Sequence, residues 1–360
     1  MSPKEDLEFL VLLVHRGHLS KAEAEPLVPR IQGGEPLDDL LEDVLGREPA
    51  WIERMRRTRA GEIPEIPGYE VLGRVGTGGT ADVFRAREKK TGRTLALKVL
   101  NPESTRNART RKAFILEARL LERLRHPGLV EGNGVARSGE LYFSRMELVE
   151  GRTLLEVLDL GKALEEQVAL RIVLEAAEVL RYLHGESVVH RDVKPGNIML
   201  TDSQRVKLID LGFAAEEGDA SAGDAPEGTT VGTVAYLSPE QAQGAAGPDL
   251  RGDIYALGVT LFHLVVGRLP FEGSDDRDTL RRQIMESLAS PELKGMRLSP
   301  HLHYFVEKMM AKDVEARYQS WEELIGDIQG QLKGKEDLDY HQRSSARHTR
   351  RRSPGSGRRR

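Results

Sequence analysis

Apolar positions recur at helical spacing near the start of the chain. Leu7, Leu10, Val11 and Val14 mark one face, and Gly17 and Ser20 stop that helix and cap the next. Leu37, Leu40, Leu41, Val44 and Leu45 repeat the pattern before Gly46 and Pro49, and Trp51, Ile52 and Met55 begin another short helix. The spacing predicts two or three amphipathic helices of roughly ten residues each. Glu62-Ile63-Pro64-Glu65-Ile66-Pro67-Gly68 reads as an extended linker, since each proline disfavours helix in the residue before it. Three readings fit residues 1–67: a cap packed on the following domain, a separate docking or dimerisation module, or a disordered leader.

Beyond residue 68 the pattern turns to strands. Val71 to Val75 is a short apolar strand, Val83-Phe84-Arg85-Ala86-Arg87 a second, and Leu95-Ala96-Leu97-Lys98-Val99-Leu100 a third. A helical face follows in Phe114, Leu120, Leu121 and Leu124, with Glu117 on the same side and Glu122 nearer the solvent side. Leu141 to Met146 is again a strand, running into a turn at Glu147 to Gly151. Leu170, Val173, Leu174, Ala177, Leu180 and His184 make a long amphipathic helix over Glu165 to His184. Ile254 to Val266, preceded by Asp253 as N-cap, is apolar on every side and belongs in a core.

Chemistry gathers between these elements. In Val189-His190-Arg191-Asp192-Val193-Lys194-Pro195-Gly196-Asn197-Ile198 an exposed polar turn between strand-like ends carries a carboxylate, an ammonium and a carboxamide. Phosphoryl transfer needs one group to orient the attacking hydroxyl, one to balance charge and one to hold magnesium. A salt-bridged turn is the plainer reading of that stretch alone. Lys98 lies mid-strand among apolar neighbours, which is costly unless its charge is paired; Glu117 is the preferred partner and Glu122 the rival. Gly76-Thr77-Gly78-Gly79-Thr80-Ala81 lets a backbone approach phosphate oxygens without a Cβ in the way, though an ordinary hairpin turn explains it equally when taken alone. A dinucleotide-binding loop is excluded, because a strand follows where a helix is required. Asp210 ends the apolar strand Val206-Lys207-Leu208-Ile209.

Taken in order, these stretches resemble the motifs of protein kinases, over about residues 68–330. His190 to Asn197 is similar to the catalytic loop in its serine/threonine form. Asp210-Leu211-Gly212 is similar to the magnesium-binding motif with leucine for phenylalanine, and Gly232-Thr233-Val234-Ala235-Tyr236-Leu237-Ser238-Pro239-Glu240 to the end of the activation segment. The glycine-rich stretch departs from the family at its third glycine, which is Ala81. The resemblance implies an α+β, two-lobed fold, with a small lobe of five strands and one helix and a larger, mainly helical lobe. A helical extension (1–67) precedes this domain (68–330), and a disordered basic tail (331–360) follows it. It implies ATP and Mg²⁺ as cofactors and a protein with a serine or threonine acceptor as substrate. Asp192, Lys194, Asn197, Lys98, Glu117 and Thr233 would be catalytic. Val75, Gly76, Thr77, Gly78, Gly79, Val83, Ala96, Lys98, Met146, Glu147 and Val149 would bind nucleotide, and Asn197 and Asp210 would hold the metal. Glu240 and Arg317 are expected ion-pair partners, and the matching core helix would anchor the catalytic loop through Asp253. Thr229 and Thr230 are candidate phosphorylation sites for Arg191 to grip. The wording of Ser238 to Ala242 is most similar to bacterial members.

Composition narrows the setting. The chain has 360 residues, a formal net charge of −4 and 31% charged residues, which gives the whole molecule no strong bias toward nucleic acid or membrane. The absence of cysteine excludes disulfides and thiolate chemistry and fits a reducing, cytoplasmic setting. Phe9 to Val14 is too short to span a bilayer and follows Lys4-Glu5-Asp6, not a basic leader. His341 to Arg360 is rich in Arg and Ser; a solvated tail, nucleic-acid binding or autophosphorylation at Ser344, Ser345, Thr349 or Ser353 all fit it. The rival functions are a nucleotide-binding pseudokinase scaffold, which would show the loss of Lys98, Asp192 or Asp210, and a small-molecule kinase, against which Ser238-Pro239-Glu240 argues.

Overall fold

Apolar burial sorts the chain into a small helical bundle, a sheet-based lobe and a large helical lobe. The computed structural model describes residues 2–59, 63–161, 163–216, 233–244, 247–286, 288 and 298–334. Thr229, Thr230 and the basic stretch 341–360 lie outside the described residues.

The bundle is built from α1 (Pro3–His15), α2 (Lys21–Ala24), α3 (Val28–Gln32), α4 (Leu37–Asp43) and α5 (Pro49–Arg59), more helices than the spacing predicts. Ser2 and Ser20 cap α1 and α2 through reciprocal bonds with Glu5 and Glu23. The buried stripe of α1 is Asp6, Phe9, Leu10 and Leu13, while Val11, expected inside, is 68% exposed. Asp6 hides the true i, i+3, i+4, i+7 pattern because it is an acid in an apolar row. Its carboxylate is buried because Arg56 of α5 bonds it at 2.8 Å and the Leu37 N–H donates to it at 3.2 Å. Phe9, Leu27, Ile31, Leu37, Leu40, Leu41 and Ile52 fill a core separate from that of the sheet.

Five antiparallel strands form the small lobe: β1 (Tyr69–Thr77), β2 (Ala81–Glu88), β3 (Thr94–Leu100), β4 (Gly132–Ser138) and β5 (Leu141–Met146), in the order β1-β2-β3-β5-β4. Ile63 and Ile66 of the linker pack on Val71, Phe84, Leu97 and Phe143, so the linker covers one face of the sheet. Two helices accompany the sheet where one was expected. A short α6 (Pro102–Arg106), capped by Asn101, leads into α7 (Ala108–Arg123), capped by Asn107.

The large lobe is arranged around α9 (Glu166–Gly185) and α11 (Leu250–Val266), after a short α8 (Leu154–Asp159). Nearly all of α11 is buried, against α9 and the helix Pro300–Met309. The N-cap of α11 is Asp249, one turn earlier than expected, so Asp253 lies inside the first turn with its carboxylate free for another task. Short strands β6 (Gly151–Thr153), β7 (Val188–Val189), β8 (Ile198–Thr201), β9 (Val206–Leu208) and β10 (Ala215–Glu216) frame the loop between α9 and α11. Backbone bonds from Val130 N–H to the Leu208 carbonyl (2.9 Å) and from Leu208 N–H to the Gly128 carbonyl (2.8 Å) join the lobes. No described helix is long and apolar enough to cross a membrane.

Candidate active site

The upper wall of the cleft is β3. Leu97 and Val99 point into the sheet core, so Lys98 faces the opposite side, toward α7. Its Nζ lies 2.6 Å from Glu117 Oε1 and 3.3 Å from Asp210 Oδ1. Glu122 is on the exposed side of the helix. Burial alone would lower the Lys98 ammonium, but the charges of Asp210 and Glu117 lift it above its usual range. Burial also raises both carboxyls. For Asp210 the Lys98 charge and the Gly212 N–H (2.8 Å) outweigh it and hold the carboxyl down at about 2. For Glu117 burial, reinforced by the negative charge of Asp210, outweighs Lys98 and pushes the carboxyl up to about 7.

The glycine-rich turn joins β1 to β2, with Gly76 opposite Val83 and Thr77 opposite Asp82. The Gly78 N–H bonds the Ala81 carbonyl at 3.0 Å, and a Cβ on Gly78 would stand 2.9 Å from that oxygen. Asn101 ties the turn to the end of β3 by donating from its backbone to the Thr80 carbonyl (3.0 Å) and from its side chain to the Gly79 carbonyl (2.9 Å). The departure at Ala81 has a packing reason: its methyl is buried against Leu100 and Phe114, linking the turn to α7. Val75 is 54% exposed and Val83 half-buried. Ala96 and Met146 are buried and directly paired across β3 and β5. The Glu147 N–H is taken by the Glu131 carbonyl at 2.8 Å, which leaves the Glu147 carbonyl for a nucleotide base. Beyond the sequence reading, the Glu147 carboxylate pairs with Lys207 of β9 and so fastens this segment to the large lobe. The signal was Lys207, a lone lysine between Val206 and Leu208.

The lower wall is the loop between β7 and β8. It is not the exposed turn the sequence suggested: His190, Asp192, Val193, Pro195 and Asn197 are all buried. Its polar groups are satisfied internally, which is what permits burial. Asp253 accepts from the His190 N–H at 2.8 Å and the Arg191 N–H at 2.7 Å. Arg191 holds a φ of 67°, a left-handed conformation that side chains rarely adopt. Asp192 Oδ2 is 2.8 Å from both Lys194 Nζ and Asn197 Nδ2. A second bond from Asn197 Nδ2 reaches the Asp192 carbonyl, so the amide oxygen turns away from the aspartate. The Ile209 N–H bonds the Asn197 carbonyl at 3.1 Å, which sets Asp210 beside Asn197. Leu211 is buried.

Thr233 begins the 3-10 turn Thr233–Tyr236, and α10 (Pro239–Ala242) follows. Ser238 caps α10, and Gln241 reaches the Arg191 carbonyl at 3.4 Å, joining this segment to the loop. Glu240 accepts two bonds from Arg317, at 2.7 and 2.8 Å. Sequence reasoning missed Gln283, a fully buried amide that donates to the Ala235 carbonyl and accepts from Tyr255 Oη; nothing in its neighbours signals this.

A glycine-rich hairpin over a paired lysine, facing a buried Asp-Lys-Asn loop between two lobes, is the arrangement of the protein kinase fold. The protein kinase domain family matches residues 69–327, and the chain belongs to that family. The chain is 34% identical over 273 residues to the probable serine/threonine-protein kinase SCO3848 of Streptomyces coelicolor, covering 74% of this chain and 40% of that protein. It is 34% identical over 261 residues to the probable serine/threonine-protein kinase CPE1738 of Clostridium perfringens, covering 72% and 38%. To the serine/threonine-protein kinase PknB of Mycobacterium tuberculosis it is 32% identical over 264 residues, covering 72% and 42%. The matched part therefore spans about two fifths of these relatives.

Proposed function

We propose that the chain is a serine/threonine protein kinase that transfers the γ-phosphoryl of Mg-ATP to protein hydroxyls. The observation that carries this is Asp192 Oδ2, held 2.8 Å from Lys194 Nζ and 2.8 Å from Asn197 Nδ2 on a buried, internally bonded loop. A carboxylate fixed in that way can accept the proton of an incoming hydroxyl, and Lys194 can offset charge on the transferred group. Lys98, set by Glu117, would grip phosphate oxygens under the glycine-rich turn. The Glu147 carbonyl and the backbone of Val149 would take the base, against Val83, Ala96 and Met146.

The residues present fit a magnesium nucleotide. The Asn197 amide oxygen points away from Asp192, and the Asp210 side chain is 36% exposed to the cleft, so both can supply oxygen ligands. When bound, the cation would neutralise charge on the phosphates. Thr233 would stand at the acceptor side. A cysteine-free sequence suits a cytoplasmic setting. The bundle of α1 to α5, with a core of its own, suits a docking module.

The test is to incubate the purified chain with labelled ATP, magnesium and a generic protein substrate, beside Asp192→Asn. Label on serine and threonine from the wild type alone is the expected result. No transfer by the wild type, or equal transfer by the variant, overturns the reading.

A further inference from the structure

A fully buried amide stands beside the turn that carries Thr233. It belongs to Gln283, on α12 (Asp276–Met285), the helix that follows α11. An apolar side chain of similar volume would fill that space without the cost of burying an amide. Two bonds offset the cost: Nε2 donates to the Ala235 carbonyl, and Oε1 accepts from Tyr255 Oη at 2.5 Å. Ala235 is itself buried, inside the 3-10 turn Thr233–Tyr236 and two residues beyond Thr233.

The direction of these bonds is set from outside the amide. Lys312 Nζ donates to Tyr255 Oη at 3.0 Å and to the Gln283 backbone carbonyl at 2.5 Å, and it lies 4.0 Å from the centroid of the Phe271 ring. An ammonium carries donors only, so the phenol oxygen accepts from it and the phenol proton is left to be given elsewhere. That proton goes to Gln283 Oε1, which turns Nε2, the donor end, toward Ala235. Without Lys312 the hydroxyl could accept as readily as donate, and the amide could turn over and set its oxygen against the Ala235 carbonyl. Tyr255 on α11, Gln283 on α12 and Lys312 beyond the helix Pro300–Met309 thus converge on one carbonyl.

We infer that Gln283 is a positioning residue for the protein acceptor, holding the Thr233–Tyr236 turn at its Ala235 carbonyl, with Lys312 acting through Tyr255 to set the amide. The inference rests on the kinase reading above, in which Thr233 stands at the acceptor side. Loss of the Ala235 bond leaves the turn held by Tyr236, whose Oη lies 2.8 Å from His263 Nδ1, and by the Gln241 bond to the Arg191 carbonyl. The groups assigned to the nucleotide phosphates and metal, Lys98 and Asp210, are set by other partners. The effect therefore falls on the acceptor and not on the nucleotide.

Steady-state transfer from labelled ATP to dephosphorylated casein by the full chain tests this, with nucleotide Kd and melting temperature measured beside it. Gln283→Met keeps the volume and removes both side-chain bonds. Its acceptor KM should rise about tenfold, the equivalent of one net hydrogen bond, with nucleotide Kd held within about twofold. Lys312→Met, at a half-buried position, should raise KM in the same direction by less, and it carries the test if Gln283→Met does not fold. Leu324→Ala, which opens a cavity in the helix Trp321–Leu332, is the control: it should lower the melting temperature and leave acceptor KM in place. Wild-type transfer with KM unmoved in the variants that fold, or KM raised equally by Leu324→Ala, overturns the positioning role alone. No transfer by the wild type overturns the kinase reading, and this inference with it.

Discussion

Glu117 Oε1 lies 2.6 Å from Lys98 Nζ, yet its carboxyl is pushed up to about 7 despite the cation beside it. One ammonium is shared by two carboxyls in a desolvated site, and Asp210 takes the larger share. A proton on Glu117 is then the cheapest way to balance the charge. The folded pKa lies above the unfolded value of 4.5, so this stabilisation is complete below about 4.5 and is lost as pH rises to about 7. We predict that the wild type loses on the order of 2 kcal/mol across that window. Glu117→Gln should remove most of that dependence while lowering activity, as melting temperatures of both proteins from pH 4.5 to 7.5 will show. Parallel pH profiles would mean that Glu117 does not titrate there.

Asp192→Asn should keep the fold, since Asn197 and Lys194 remain to position the loop, but an amide cannot accept a proton. Transfer should fall by about 10²–10⁴ while nucleotide affinity is retained. Comparison of kcat with nucleotide Kd decides it, and comparable phosphorylation by variant and wild type would remove Asp192 from its role.

Asp253 holds two backbone N–H groups of the loop, beside the left-handed Arg191. Asp253→Ala should cost both stability and kcat, because each buried unsatisfied N–H costs about 1–3 kcal/mol. Asp253→Asn keeps one acceptor oxygen and should fall between. Equal losses of kcat in the two variants would show that the carboxylate acts otherwise than by holding the loop.

The candidate site was legible in the sequence because its spacing is local: Asp192, Lys194 and Asn197 share one loop, and Lys98 and Asp210 stand out against apolar strands. The core helix was equally plain, since α11 is apolar on every side. Other features depended on partners far along the chain. The loop reads as exposed because it is polar, and its burial becomes intelligible only with Asp253, some 60 residues later, bonded to it. Asp6 breaks the apolar stripe of α1 for the same reason, as its partner Arg56 is 50 residues away. Gln283 carries no local signal at all.

Arg317 is fully buried and bidentate to Glu240, and it also donates to the Ala311 and Arg251 carbonyls. Arg317→Ala strands a half-buried carboxylate and empties a fully buried site, and should destabilise the chain by about 3 kcal/mol. Burial alone would raise the Glu240 carboxyl, but Arg317 holds it below its usual range. That part of the stability is present above about pH 4.5 and is lost as pH falls. Urea denaturation of wild type and variant at pH 7 and pH 4 measures both effects, and an unchanged midpoint at pH 7 contradicts the first.

The bundle meets the small lobe across a seam of charged side chains. Their apolar cores do not merge, and ion pairs cross the seam: Arg16 with Glu65 at 3.0 Å, His18 with Glu65 at 3.2 Å, and Arg54 with Glu70 at 2.6 Å. Burial lowers the His18 imidazole, so it adds little charge at pH 7. Partly exposed pairs of this kind contribute about 0–1 kcal/mol each and weaken with salt. Such a seam cannot couple two cores strongly, so the bundle should melt as its own unit. Leu40, buried in that core, provides the handle. Leu40→Ala should destabilise the bundle by about 2–5 kcal/mol and leave the main transition in place. In calorimetry the wild type should show two transitions, with only the smaller displaced in the variant. A single transition shifted as a whole would show that bundle and lobes fold as one cooperative unit.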